Sequence, residues 1–316
     1  MLTWILLLAG FALLIVGAES LVRGAVALAR RLGISPLMIG LTVVAWGTSA
    51  PELVVTVQAT LEGTTDVAVA NVVGSNIFNV LITVGIVAVV QPIHASRRAV
   101  LRDGTAAFLA AAAFVLVAST LGVVTAWVAG GFLCALLVLS FVVFRQERAN
   151  AARAREVAAE LDAMAGDGVI KSSVFVVVGL GMLAVGGDLL VNSAVTLARA
   201  WGVSEAMIGA TIVAAGTSLP ETTTCLIAAL RRHGDVAFGN VVGSNLYNLL
   251  AILGVAGLIA PLPVPEPVRT FDMWWMLAAS AALLLPLATG FRIGRWIGAG
   301  LLGAYVLWLA MTLARI

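Results

Sequence analysis

The chain has 316 residues, of which 61% are hydrophobic and 11% charged, and carries a formal net charge of +2 with a mean hydropathy of +1.10. A soluble domain holds about 25% charged residues, so this composition describes a polytopic membrane protein. So small a net charge over so long a chain argues against nucleic acid as a partner, and the cysteines and histidines show no spacing for zinc or haem.

Ten apolar stretches are long enough to cross a bilayer. The first, 3–29, lacks the basic leader of a signal peptide. It carries Glu19 and Arg23 four residues apart, a spacing that pairs them with each other or with the motif helices. The second, 36–61, contains Gly47-Thr48-Ser49-Ala50-Pro51-Glu52. Proline has no N–H and clashes with the preceding turn, so the helix is expected to kink or open around Gly47 to Ser49. Carbonyls freed there, at membrane depth, need a partner, and a desolvated cation is a good one. Ser49 and Glu52 are three apart and share a helix face. The third stretch, 67–91, places Ser75 and Asn79 four apart on one face. Glu62 and Asp66, at the span ends, read as solvated loop acids on the outer side, weakly attractive to cations. Stretches 103–119 and 121–144 follow, and Cys134 in the latter reads, like Cys225 later, as a small buried residue. The segment Arg145–Lys171 reads as a short amphipathic helix and a Gly-rich turn near anionic lipid.

Stretches 172–198, 205–230, 236–260, 273–289 and 296–313 then repeat the pattern. Gly216-Thr217-Ser218-Leu219-Pro220-Glu221 returns the first motif, and Asn240 to Asn248 returns Asn71 to Asn79 with Ser244 at the place of Ser75. Both share one offset, since 217 − 48 and 243 − 74 each give 169. Without a gap, that offset aligns 17–92 with 186–261 at about half the positions identical. Asp188 and Asn192 keep the acid of the Glu19–Arg23 pair and lose the base, and Asp235 is a further span-end acid. An odd number of spans per half makes the second copy enter from the opposite face. The expected fold is therefore all-α transmembrane, ten helices in two inverted-topology five-helix repeats, with broken motif helices in the core. The repeats occupy 1–144 and 172–316, with 145–171 as linker.

Lysine and arginine set the sidedness. Arg30, Arg31, Arg97, Arg98, Arg102, Arg145, Arg148, Arg153, Arg155, Lys171, Arg231, Arg232, Arg292 and Arg295 fall on one face, and only Arg199, Arg269 and Arg315 on the other. The positive-inside rule makes the first face cytoplasmic, which leaves both termini outside and the linker inside a cell membrane. Trp4, Trp274 and Trp275 read as interfacial anchors. Folding the halves about a pseudo-twofold axis brings Glu52 and Glu221 together at mid-membrane. With carbonyls near Thr48 and Thr217, the hydroxyls of Ser49, Ser75, Ser218 and Ser244, and the amides of Asn79 and Asn248, they make an all-oxygen shell. Such a shell suits Ca²⁺ or Na⁺ better than Mg²⁺.

The four motifs, in this order and spacing, resemble the two alpha repeats of the sodium/calcium exchanger family. The resemblance implies a Na⁺/Ca²⁺ antiporter in which the first and sixth helices slide across a core of motif helices. It implies that Glu52 and Glu221 bind Ca²⁺ and Na⁺, that Thr48 and Thr217 donate carbonyls, and that Ser49, Ser218, Ser75, Ser244, Asn79 and Asn248 complete the sites. Many relatives, the potassium-dependent branch among them, carry aspartate where this chain has Asn248, so K⁺ co-transport is not expected. No large regulatory domain fits in the linker, and neither an obligate protein partner nor a cofactor is implied. The alternatives are a Ca²⁺/H⁺ exchanger, disfavoured because that branch carries a Gly-Asn-Ala-type motif, and a cation channel, for which no repeated selectivity filter is present. No nucleophile–base pair marks an enzyme.

Overall fold

The computed structural model describes residues 2–162, 168–202 and 214–315. Helix α1 spans Leu2–Leu32. A bent pair follows, α2 (Pro36–Thr48) and α3 (Ala50–Leu61), and then α4 (Thr65–Val90) and α5 (Ala99–Thr120). Helix α6 runs over Ala126–Asp162 and α7 over Val169–Ala200. The second half continues with α8 (Leu219–Leu230), α9 (Gly234–Ile259), α10 (Val268–Leu287) and α11 (Arg295–Leu313). Among the described residues eight helices are long and apolar enough to cross a membrane, or nine when α2 and α3 count as one bent span. The expected span 205–230 is described only from Ala214 onward, and its first part lies outside the described residues.

Lipid offers no hydrogen bonds, so helices that bury polar side chains must lie at the centre of the bundle. α4 and α9, which carry the Ser and Asn motifs, are 78% buried along their apolar windows, against 11–44% for the other long spans. Both widen to π-helical turns, at Asn79–Val84 and Tyr247–Ile252. A second matching pair of π turns opens α5 and α10, at Ala99–Gly104 and Val268–Asp272. Such bulges re-aim carbonyls and side chains within an otherwise regular helix. α9 packs on α2 and α6, and α4 packs on α10 and α11, so each half is wrapped by the other.

Two short antiparallel ladders tie the halves at the bundle ends. β1 (Ile93–His94) pairs with β4 (Arg292–Ile293), and β2 (Val123–Val124) pairs with β3 (Leu262–Pro263). The most extensive helix contact joins α1 to α7. It is antiparallel and small-residue: Gly10 meets Gly186, Gly17 meets Gly179, and Gly24 meets Ser172. A Cβ on Gly179 would lie 2.6 Å from the Leu21 nitrogen and 2.7 Å from the Gly17 carbonyl oxygen. Backbones this close gain dispersion and Cα–H···O contacts, the source of helix association where no hydrophobic drive exists.

Two local expectations are corrected. The linker does not form a separate short helix, because α6 continues unbroken to Asp162. Residues 145–162 contain neither glycine nor proline and are rich in Ala, Glu and Arg, so nothing stops the helix at the membrane face. Cys225 is buried, but Cys134 is exposed on the outer face of α6. An apolar span does not reveal which of its sides faces lipid, since lipid is as apolar as a core.

Gly179→Val is expected to lower the unfolding midpoint in detergent, at a cost of about 1–3 kcal/mol from overpacking. Gly181→Val, where a Cβ meets nothing within 4 Å, is expected to leave it unchanged.

Candidate functional site

The site begins with two helix breaks. Ser49 (φ −83°, ψ 7°) separates α2 from α3 with a bend of 44°, and Ser218 (φ −92°, ψ 8°) precedes α8 in the same conformation. Pro51 and Pro220 are the second residues of α3 and α8, so neither can donate to the carbonyl four residues back, at Gly47 and Gly216. Glu52 and Glu221 come third, in the first turn, where free N–H groups and the positive end of the helix dipole favour a carboxylate. Both glutamates are fully buried.

The breaks then exchange hydroxyls. Ser49 donates to Glu221 Oε1 at 2.9 Å, and Ser218 donates to Glu52 Oε1 at 3.0 Å. Ser244 Oγ lies 3.5 Å from the same Glu221 oxygen. Each carboxylate is thus held by the serine that precedes the other one, which brings both acids to one centre. Charged groups in so dry a place are expensive unless compensated.

Around the acids runs a belt of amides. Asn71 donates to the Glu52 carbonyl at 3.4 Å, and Asn240 donates to the Glu221 carbonyl at 3.5 Å. Thr48 Oγ1 is 3.2 Å from Asn240 Oδ1. Asn76 donates to the Asn245 carbonyl at 3.3 Å, and Asn245 returns the bond at 3.5 Å. Asn79 donates to Asn245 Oδ1 at 3.3 Å, and Asn248 donates to Asn76 Oδ1 at 2.9 Å. The belt spends the amide N–H groups on the protein itself and leaves oxygens over. Glu52 Oε2, Glu221 Oε2, Asn79 Oδ1 and Asn248 Oδ1 are buried acceptors without a donor, and the buried Ser75 hydroxyl is likewise unmatched. Acceptor oxygens with nothing to accept fit a hard cation, which needs oxygen ligands and no proton. Among the described residues there is no cluster of three or more His, Cys, Asp or Glu. At the α8–α9 loop, burial and the charges of Arg30 and Arg231 lower the His233 imidazole below its ordinary range.

The structure brings together Glu52, Glu221, Ser49, Ser218 and Ser244, with Asn79, Asn248, Thr48 and Ser75 buried around them. Thr217 is half-buried at the second break. Asn71, Asn76, Asn240 and Asn245 were not among the expected residues, although they stand in the same duplicated motifs. Serine–asparagine spacing on one face picks out Asn79 and hides Asn76, whose partner is on the other half. The Thr83–Thr222 contact at 2.6 Å has no counterpart at the offset of 169, so comparison of the repeats could not find it.

The sequence profile described as sodium/calcium exchanger protein matches residues 2–145 and 171–314. The chain is 39% identical over 308 residues to CaxA of Alkalimonas amylolytica, named as a candidate antiporter, with 96% of each chain covered. It is 31% identical over 342 residues to the sodium/calcium exchanger MaX1 of Methanosarcina acetivorans, covering 98% of this chain and 97% of that one. The fold matches a solved structure of the sodium-calcium exchanger NCX_Mj soaked with Na⁺ and Ca²⁺, at a TM-score of 0.84 and 28% identity, with 98% of each chain covered.

Asn245→Ala removes a donor and an acceptor from the buried belt and is expected to cost about 2 kcal/mol, seen as a lower thermal midpoint in detergent. Asn192→Ala, at an exposed intrahelical bond, is expected to change the midpoint little.

Proposed function

The chain belongs to the sodium/calcium exchanger protein family, and on that premise we propose that it is a Na⁺/Ca²⁺ antiporter working by alternating access. As a family member it is a multi-pass membrane exchanger of the cation/Ca²⁺ type rather than an enzyme. The observation that carries the finer reading is the set of leftover acceptor oxygens around two facing carboxylates. In this reading Glu52 and Glu221 are ligands shared by Ca²⁺ and Na⁺. Carbonyls near Thr48 and Thr217 and the side-chain oxygens of Ser49, Ser75, Asn79, Ser218, Ser244 and Asn248 complete the shell.

Two carboxylates balance one Ca²⁺ or two Na⁺, so the ions compete for the same oxygens. A loaded site is close to neutral and can cross between faces, whereas an empty one leaves two uncompensated charges in a dry centre, which opposes the crossing. A further Na⁺ would make the loaded site positive, and each net charge moved then couples to the membrane potential at about 2.3 kcal/mol per 100 mV.

The same proposal includes ten helices in two inverted repeats, 1–144 and 172–316, joined by a cytoplasmic linker over 145–171 with both termini outside. The ladders support it. β1 follows α4 and meets β4 before α11, while β2 lies between α5 and α6 and meets β3 after α9. Because α5 crosses the bundle between β1 and β2, equivalent helices α4 and α9 end on opposite faces. The antiparallel glycine seam between α1 and α7, which open the two repeats, favours the same arrangement.

Proteoliposomes loaded with Na⁺ are expected to take up radiolabelled Ca²⁺ down an outward Na⁺ gradient, and Glu52→Gln or Glu221→Gln is expected to abolish uptake. Parallel vesicles loaded with protons or K⁺ are expected to show none. Uptake driven by protons would replace Na⁺ with H⁺ as the coupling ion, and uptake indifferent to any gradient would indicate a channel.

A further inference from the structure

The two halves match closely at the site but not at the two mouths beside it. On one side Arg231, at the end of α8, reaches Glu19 of α1 with a forked contact, Nη2 to Oε1 at 2.6 Å and Nε to Oε2 at 3.0 Å. Arg23 pairs with the same carboxylate from one turn along α1. The offset of 169 carries Glu19 to Asp188 and Arg23 to Asn192, and it carries Arg231 back to Glu62. The equivalent cross-helix contact on the other side would therefore join two acids. Each is held instead by an amide of its own helix or helix end. Asn192 donates to Asp188 at 2.9 Å, and Gln58 donates to Glu62 at 2.9 Å.

Packing follows the charges. α1 lies along α8, and on the Arg231 side Ala18, Val22, Thr48 and Thr224 are sealed, none more than 1% exposed. On the other side α3 and α7 make no comparable contact. Between them opens a cavity of about 210 Å³ lined by Val55, Asp188 and Val191, and it reaches Thr217 and Pro220 at the second helix break. Under the offset, Val55, Val191 and Thr217 are the equivalents of Thr224, Val22 and Thr48. The same positions are closed under an ion pair on one side and line a cavity under two acids on the other.

We propose that Glu19 and Arg231 form a latch that closes one mouth and holds the resting protein open at the Asp188 mouth, which thereby becomes the loading side. Ten residues, about 15 Å of helix, separate Glu221 from Arg231, so the pair acts on which face the site sees and not on the ions themselves. A forked arginine–carboxylate contact resists separation of two helices in a way a single point charge does not. Like charge at Asp188 and Glu62 opposes closure of the opposite mouth. An ion pair this exposed shifts an equilibrium by up to about fivefold, enough to bias two otherwise similar states.

The latch rests on the alternating-access reading above, and its test is chosen to be separate from ion flux. In a Cys134→Ser, Cys225→Thr background, single probes Val22→Cys and Val191→Cys report the two mouths by their rate of reaction with a maleimide in the purified full-length chain. Val191→Cys is expected to react faster than Val22→Cys. Adding Glu19→Gln is expected to raise the Val22→Cys rate about threefold and to slow Val191→Cys. Glu62→Arg, which offers Asp188 the partner that Glu19 has, is expected to move both rates in the same directions from an exposed position outside the packed core. Rates that rise together indicate general loosening and overturn the latch, as do unchanged rates in both variants. Reciprocal rates without Na⁺-driven Ca²⁺ uptake would keep the latch and overturn the ion assignment.

Discussion

Two carboxylates held inside a lipid-embedded bundle set the terms for the rest of this structure. Neither Glu52 nor Glu221 reaches water, so every compensating group must come from the protein or from a bound cation. The fold supplies two kinds of compensation: the N-terminal turns of α3 and α8, and the crossed hydroxyls of Ser49 and Ser218. Neither is found in the middle of an uninterrupted helix. Breaking both motif helices just before the acids is therefore the price of placing them there.

Once the acids sit at the centre, the asparagine belt has to surround them. Asn71, Asn76, Asn240 and Asn245 direct their N–H groups at backbone and side-chain oxygens of both halves, which fixes the register of α4 against α9. The π turns that begin around Asn79 and Asn248 change the direction of these helices just past the belt. α1 and α7 are different in kind. They meet each other through small residues and glycine backbones and are mostly turned to lipid. In the alternating-access proposal, α1 and α7, joined by this seam, move as a pair against the polar core. The unequal mouths at Glu19 and Asp188 then give that movement a preferred end.

Much of this was legible before any coordinates. The apolar stretches, the proline that opens each motif helix, and the repeat of Glu52 and Glu221 at one offset all follow from local chemistry. Local chemistry also suggested that Glu19 pairs with Arg23 or with a motif helix, and it does both. Less visible was anything that depends on who faces whom. Asp235 reads as a solvated acid, yet it accepts the Ser96 backbone N–H across the halves at 3.3 Å. Cys134 and Cys225 lie in equally apolar sequence, yet one faces outward and one inward. The course of the linker helix is hidden for a related reason, since amphipathic composition does not say whether a helix starts anew or continues α6.

By itself the sequence determined the membrane class, the duplicated motifs, the helix breaks and the kind of atom offered at each, because those depend on residue type and spacing along one chain. The tertiary structure decided which oxygens end without donors, which asparagines bridge the halves, and which of two equivalent mouths is shut. These are properties of groups 166 to 212 residues apart, and no periodicity within a helix records them. Two repeats that share about half their residues become unequal through the positions where they differ, and whether Arg231 and Glu62 matter at all depends on what the fold sets opposite them.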